Sequence, residues 1–354
     1  MQRIDLPLPA TDARLDQAIS WLTSVPTVDQ TVGEWTSIAT ASVDASFRRY
    51  FRATSATGAT AIVMDAPPPQ EDVRPFVNVT HLLAQGGVHV PELFAEDETR
   101  GFLLLGDMGT TTYLSALQTA SAIEPDALFA DAIATLVQLQ CIDPSRSRIA
   151  LPHYDAALLR REITLFPEWY LDRHCHAALT DDEKNSLERV YATLIASALA
   201  QPTVLVHRDY MPRNLMVTTA RNPGVLDYQD AVIGPITYDV ASLVRDAFLT
   251  WEEPQIIDWV VRYWHQAKKA GLPVREDFSE FYREMEWMGL QRHLKVMGIF
   301  ARINYRDGKP KYLSDTPRFV AYARHAAKRY QAFAPLLKLF DRLEGHAAKV
   351  GYTF

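Results

Sequence analysis

Cysteine is nearly absent from this chain. Only Cys141 and Cys175 occur in 354 residues, and neither has the second cysteine of a CxxC pair. That pattern excludes a disulfide framework and a thiolate zinc site, so two free thiols are expected. No run of about 18 apolar residues occurs, so no membrane-spanning helix is expected. The opening stretch, MQRIDLPLPATDARLDQ, lacks the apolar core of a secretory signal, and a cytoplasmic protein is the expectation. A surplus of positive charge is missing as well. The net charge of −7 gives no general attraction to nucleic acid or to an anionic membrane, and neither is expected as a partner. Glycine is missing between Gly33 and Gly58, which rules out a G-x-G-x-x-G phosphate loop in that stretch. There is no internal repeat and no low-complexity tract.

What remains is ordinary globular material. The chain is 48% apolar and 22% charged, and its length suits two domains or lobes. A short helix is expected over 11–24. Residues 35–65 hold three β-rich runs separated by Asp44-Ala45-Ser46 and Ala56-Thr57-Gly58, which predicts a three-stranded antiparallel meander. A helix over 72–85 ends at Gly86-Gly87. Val88–Val90 or Leu93–Ala95 reads as a short strand, and Gly101–Leu105 as a clearer one. After the glycine-flanked joint Gly106-Asp107-Met108-Gly109, helices dominate: 125–140, 154–166, 180–199 (opened by a Thr180-x-x-Glu183 capping box), 238–248, 254–271, 277–304 and 316–343. The expectation is an α+β protein with a small β-rich lobe over 1–105 and a larger, mostly helical lobe over 106–354.

The most informative stretch is VLVHRDYMPRNLMVTTARNPGVLDYQD, Val204 to Asp230. Apolar runs at Val204–Val206 and Leu215–Val217 flank a polar turn, and Gly224-Val225-Leu226 delivers Asp227. Asp209, Asn214 and Asp227 therefore stand at the ends of short strands, where a rigid scaffold best holds reactive groups. The spacing H-x-D-x-x-x-x-N followed by D-[FY]-x-D is that of a phosphoryl-transfer loop. In such a loop the first Asp takes a hydroxyl proton, and the Asn and second Asp bind Mg2+ against the nucleotide phosphates.

These residues resemble the kinase-like phosphotransferases of the aminoglycoside phosphotransferase and choline kinase type. His207–Asn214 is similar to that family's catalytic loop and Asp227–Asp230 to its metal-binding segment. Gly234 with Tyr238-Asp239-Val240-Ala241 is similar to its bracing element, and Leu103–Gly109 to its lobe-connecting hinge. Within the family, DASFRRYFR (44–52), HRDYMPRNLM (207–216), 226–248 and 290–313 resemble the bacterial anomeric sugar kinases that phosphorylate N-acetylmuramate and N-acetylglucosamine in cell-wall recycling. The resemblance implies a two-lobed protein-kinase-like fold, ATP and Mg2+ as cofactors and a small amino sugar as partner. It implies Asp209 as the catalytic base and Asn214 and Asp227 as the metal ligands. Nucleotide contacts are implied at Leu105 and Asp107 of the hinge and at Ser46 and Arg49 of the small lobe, and a bracing role at Asp239.

Departures from the family pattern are also informative. The family places a Lys on the third strand, paired with a Glu on the next helix. Here Ala61-Ile62-Val63-Met64 puts Met64 in the Lys position, and 73–85 holds no Glu. Both halves of the ion pair are missing together, as expected of replacement, since a lone buried charge is costly. Arg48, Arg49 and Arg52 on the neighbouring strand are the candidate replacements, with Arg49 on the face opposite the other two. For the acceptor, residues 283–311 hold seven basic residues against three acidic ones, a local net of +4. That suits a neutral or anionic sugar better than a polycationic antibiotic. Trp251, Trp259, Trp264 and Trp287 are available for stacking on a sugar ring or for core packing. Kinases of other alcohols (aminoglycoside, choline, homoserine) and a nucleotide-binding pseudokinase are the alternatives.

Overall fold

The computed structural model describes residues 2–4, 12–25, 34–43, 47–119 and 124–345. The chain separates into two units, one of residues 1–122, 145–150 and 213–230, the other of 123–144, 151–212 and 231–354.

The first unit is built on a six-stranded sheet. Its strands are β1 (Gln2–Ile4), β2 (Trp35–Val43), β3 (Arg49–Ser55), β4 (Thr60–Asp65), β5 (Leu93–Asp97) and β6 (Phe102–Gly106), in the order β1-β2-β3-β4-β6-β5. β1 runs parallel to β2 and every other pairing is antiparallel. The β2–β3–β4 meander is the one expected from 35–65. Its turn residues 44–46 lie outside the described residues. Period-two alternation buries Phe51, Ala53 and Ser55 on one face of β3. Against that face packs helix α1 (Ala13–Ser24). The Asp12 side chain starts α1 by accepting from the backbone N–H groups of Arg14 (3.1 Å) and Leu15 (2.9 Å). Leu15, Ala18, Trp21 and Leu22 then join Ile38, Phe51, Val63, Phe102 and Leu104 in one core. Each fully buried side chain of Leu size contributes about 2 kcal/mol.

Helix α2 (Arg74–Gln85) ends at Gly86 and Gly87, the latter at φ +79°, where glycine meets no Cβ penalty. Of the two candidate strand segments that follow, only the second forms a strand, as β5. Val88–Val90 runs into Pro91 without pairing in a sheet. A short helix α3 (Tyr113–Gln118) follows, capped by Thr112. Residues 213–230 contribute a two-rung antiparallel ladder, Leu215 with Val225 and Met216 with Gly224.

The second unit is helical. Its helices are α4 (Pro125–Gln140), α5 (Ala156–Ile163), α6 (Asp181–Leu199), α7 (Tyr238–Val244), α8 (Glu253–Lys269), α9 (Phe278–Asp307), α10 (Thr316–Arg329) and α11 (Ala334–Leu343). The strand Thr203–Val206 pairs antiparallel with Val232–Pro235. The capping box forms as expected: Glu183 N–H donates to Thr180 Oγ1 (3.2 Å), and Thr180 N–H donates to Glu183 Oε2 (2.9 Å). Three expected helices change. The segment 154–166 gives the shorter α5, followed by a π-helical stretch at Phe166–His174 that opens with Pro167. The segment 238–248 stops at Val244. The single helix expected over 316–343 is two, joined by a 3-10 turn at Gln331–Phe333. Pro335 has no N–H to donate to Gln331, so the ladder ends and restarts there.

The thirty-residue α9 is the axis of this unit. It carries Leu290, Leu294, Met297 and Ala301 into a core shared with Phe166, Tyr191, Phe319 and Phe340. Gly298 lets the backbone of Leu165 approach closely. A Cβ there would overlap Leu165 C and O, backbone atoms that cannot swing away. Gly298→Ala is therefore expected to destabilise the protein by about 1–3 kcal/mol despite its better helix propensity, read as a lower urea midpoint.

Candidate active site

In the second unit the strand Thr203–Val206 runs straight into His207-Arg208-Asp209. Two consecutive backbone N–H groups there, of His207 and Arg208, donate to the two oxygens of Asp239 (2.7 and 3.0 Å). Asp239 sits in the first turn of α7 and is fully buried. Asp209 N–H donates to His207 Nδ1 (3.2 Å), which makes the imidazole a backbone acceptor. Arg208 adopts φ +77°, an uncommon conformation for a residue with a Cβ. Its side chain is anchored as well: Nη2 donates to Glu162 Oε1 (2.6 Å). On the other side of Asp209, the buried Tyr210 hydroxyl donates to the carbonyl of Ala132 (2.8 Å). Asp209 is thus held between a doubly anchored residue and a buried aromatic one.

Glu162 is the centre of a larger buried network. Beside Arg208 it meets Lys295 Nζ at 2.9 Å and accepts from the Tyr154 hydroxyl. Lys295 also donates to the Tyr238 hydroxyl (3.0 Å). Burial alone would push the Glu162 carboxyl up, but Lys295 and Arg208 outweigh it and hold it below its ordinary range. Burial likewise works against the Lys295 ammonium, and Tyr238 and Glu162 outweigh it and raise its pKa.

Asp239 behaves differently. Burial pushes its carboxyl up to about 6, against the pull of His207 and the two backbone N–H groups. The sign follows from which form the fold favours. An acid raised from 3.8 to about 6 favours the folded state in its protonated form. Its stabilising contribution is full below 3.8 and is lost as pH rises toward about 6. The two-oxygen bracket on the loop, by contrast, needs the carboxylate. Acidification through about pH 6 is therefore expected to lower kcat without any loss of stability from this group. In Asp239→Asn the acid limb should vanish at a uniformly lower kcat. A wild-type limb unchanged by that substitution would show that another group causes it.

In the first unit Asn214 and Asp227 come together: Asn214 Nδ2 donates to Asp227 Oδ2 at 3.3 Å. Asp227 stands at φ +62°. The strained residue is fixed on both sides. Leu226 N–H donates to the Asn214 carbonyl (2.9 Å), and the fully buried Tyr228 ring packs on Phe76 (5.0 Å) while its hydroxyl bonds Thr80 (2.8 Å). Gln229 Nε2 donates to Asp227 Oδ1 (3.0 Å), and Gln229 Oε1 is buried with no partner among the described residues. One carboxylate and two carboxamides offer only hard oxygen donors, which suits Mg2+. The site already attracts positive charge, since Arg48 Nη2 lies 3.6 Å from Asp227 Oδ1.

The small-lobe arginines divide by partner. Arg49 is spent on Asp65 and Asp12. Arg52 forms a two-point pair with Asp107 (2.6 and 3.0 Å) and also donates to the Gly109 carbonyl. The arginine that reaches Asp227 is Arg48, which precedes β3. Burial would push Asp107 up, but Arg52 and the Gly109 N–H outweigh it and hold it low. Leu105 is buried in β6, opposite Ile62 and Leu93. Met64 is buried between Tyr50 and Leu103 on the neighbouring strands. Ser46 lies outside the described residues. Trp259 is core: its ring stacks on Phe129 at 3.7 Å and its indole N–H donates to Asp126.

Comparison with known proteins adds the following. The family described as "Phosphotransferase enzyme family" matches residues 37–278. A protein of Pseudomonas putida named N-acetylmuramate/N-acetylglucosamine kinase is 52% identical over 345 residues, 96% of this chain and 99% of that protein. A protein of the same name from Pseudomonas aeruginosa is 49% identical over 94% of this chain and 97% of its own length. A GDP complex of aminoglycoside 2'-phosphotransferase-IIIa shares the fold, with a TM-score of 0.61 at 14% identity over 90% of this chain and all of that one.

Proposed function

We propose, because the chain belongs to the phosphotransferase enzyme family, that it transfers the γ-phosphoryl group of ATP to the anomeric hydroxyl of an amino sugar, N-acetylmuramate or N-acetylglucosamine. The sugar hydroxyl oxygen attacks the γ-phosphorus, the bond from that phosphorus to the ADP oxygen breaks, and the hydroxyl proton passes to an Asp209 carboxylate oxygen. Asp239, through His207 and Arg208, fixes where Asp209 stands, and positioning contributes most in a reaction with a loose transition state. Asn214 and Asp227 would hold Mg2+, which when bound neutralises charge building on the phosphate oxygens. Arg48 takes the role of the missing strand lysine, bringing a guanidinium toward the phosphates from the edge of the Asp227 site. An ATP-dependent step of this kind belongs in the cytoplasm and serves cell-wall sugar recycling.

The observation that carries this reading is the double bracket of Asp239 on the Asp209 loop in a chain 52% identical to a kinase of that name. The test is coupled ADP release across a panel of amino sugars, with 31P NMR of the product. A sugar 1-phosphate is expected. A 6-phosphate would reject the anomeric assignment, and ADP release without sugar dependence would reject the kinase.

A further inference from the structure

One buried cation beside the Asp209 loop makes no ion pair among the described residues. Arg292, on α9, is 2% exposed. Its Nη2 meets only the Met211 thioether, at 3.7 Å, and its Nη1 is buried with no partner among the described residues. No carboxylate oxygen of the described residues lies within the 4.0 Å of an ion pair with it. The buried Asp246 carboxyl feels the Arg292 charge, but its Oδ2 accepts from the backbone N–H groups of Phe248 and Leu249, and its Oδ1 has no hydrogen-bond partner among the described residues, so it makes no direct bond to the guanidinium. The contrast with Lys295, one turn along the same face of α9, is informative. Lys295 is also buried but is engaged by Glu162 and Tyr238. Next to Arg292, Gln291 is completely buried and neither end of its amide has a partner among the described residues. A buried guanidinium with no direct ion pair, beside an amide with no partner among the described residues, is a costly arrangement that a bound ligand would offset.

The position narrows what that ligand is. Met211 is two residues from Asp209, so the guanidinium lies against the loop that would carry the reacting hydroxyl. A thioether is a weak acceptor on an unbranched, mobile side chain, and a carboxylate displaces it at little cost. We infer that Arg292 is a specificity residue that binds the carboxylate of an acidic acylamino sugar, the lactyl group of N-acetylmuramate. On this inference it does not serve N-acetylglucosamine, which has no such group. This rests on the amino-sugar reading above and adds to it the residue that tells the two sugars apart.

The experiment compares specificity constants for the two sugars in the wild type and in Arg292→Met and Arg292→Lys. In the Met variant the ratio is expected to shift about 30-fold against N-acetylmuramate, chiefly through KM, as for loss of a charge-assisted hydrogen bond. The Lys variant should recover part of that shift. A loss of folded enzyme cancels from the ratio, and an unchanged ratio overturns the inference. The wild type gives an independent check: it should prefer N-acetylmuramate to its lactyl carboxamide by at least about tenfold, and equal rates overturn the inference. A wild type that phosphorylates neither sugar fails at the underlying reading instead.

Discussion

Asp209→Asn is expected to lower kcat by about a thousandfold while leaving the fold and nucleotide affinity in place. The size follows from the role, because a positioned base contributes 10²- to 10⁴-fold. The selectivity follows from the structure. The loop takes its shape from Asp239 on the His207 and Arg208 N–H groups, from Glu162 on the Arg208 side chain and from Ala132 on Tyr210. Asn keeps the size and shape of Asp and leaves these four anchors in place, so the loop should keep its shape. The measurement is kcat from coupled ADP release beside an unfolding curve and a nucleotide titration. A kcat within tenfold of wild type would remove Asp209 as the base. Asp239→Asn offers the contrast: Asp209 keeps its chemistry but loses one of two backbone anchors, so a smaller fall of about 10- to 100-fold is expected.

The difference between these two residues also shows what a sequence can reveal. Asp209, Asn214 and Asp227 stand out as candidates because the pattern around them is local. Short apolar runs of β-type end at them, and the spacing between strands is fixed by the turns. The meander, the Thr180 capping box and α9 are legible for the same reason, since each rests on neighbours a few residues away. What stayed hidden depends on distant partners. Periodicity tells which face a residue occupies but not which residue it meets there. Lys295 and Arg292 read alike as two cations in a basic stretch, yet one is bonded to Glu162, 133 positions earlier in the chain, and the other makes no ion pair among the described residues. Alternation separates Arg49 from Arg48 and Arg52, but the partners Asp65, Asp107 and Asp227 of the three arginines are not readable from it. The break between α10 and α11 is hard to read for a smaller reason: Pro335 marks it, but the apolar pattern continues past it.

Glu162→Ala is expected to cost about 3–5 kcal/mol of stability, a far larger effect than surface ion pairs produce. Glu162 is 5% exposed and faces two cations, Arg208 at 2.6 Å and Lys295 at 2.9 Å, with the Tyr154 hydroxyl on its other oxygen. Removing it leaves an ammonium and a guanidinium together in a buried place with their mutual repulsion unopposed. The pH dependence has a definite sign. Glu162 is held below its ordinary 4.5, so its contribution is present above that value and is lost as pH falls through the lower folded pKa. Lys295 is held above its ordinary 10.5, so its contribution is present below that value and is lost as pH rises through the higher one. The wild type should therefore exceed the variant most across neutral pH, in urea unfolding followed at several pH values. A second substitution identifies the cause. If stranded charge is the reason, Lys295→Met added to Glu162→Ala should restore part of the loss, because it removes one of the two cations that faced Glu162. Strictly additive losses would show that packing around Glu162, rather than its charge, holds α5 to α9. Activity should fall further than stability alone explains, because Arg208 loses one of the two anchors, its side chain, that hold its left-handed backbone, and Asp209 follows it in the chain.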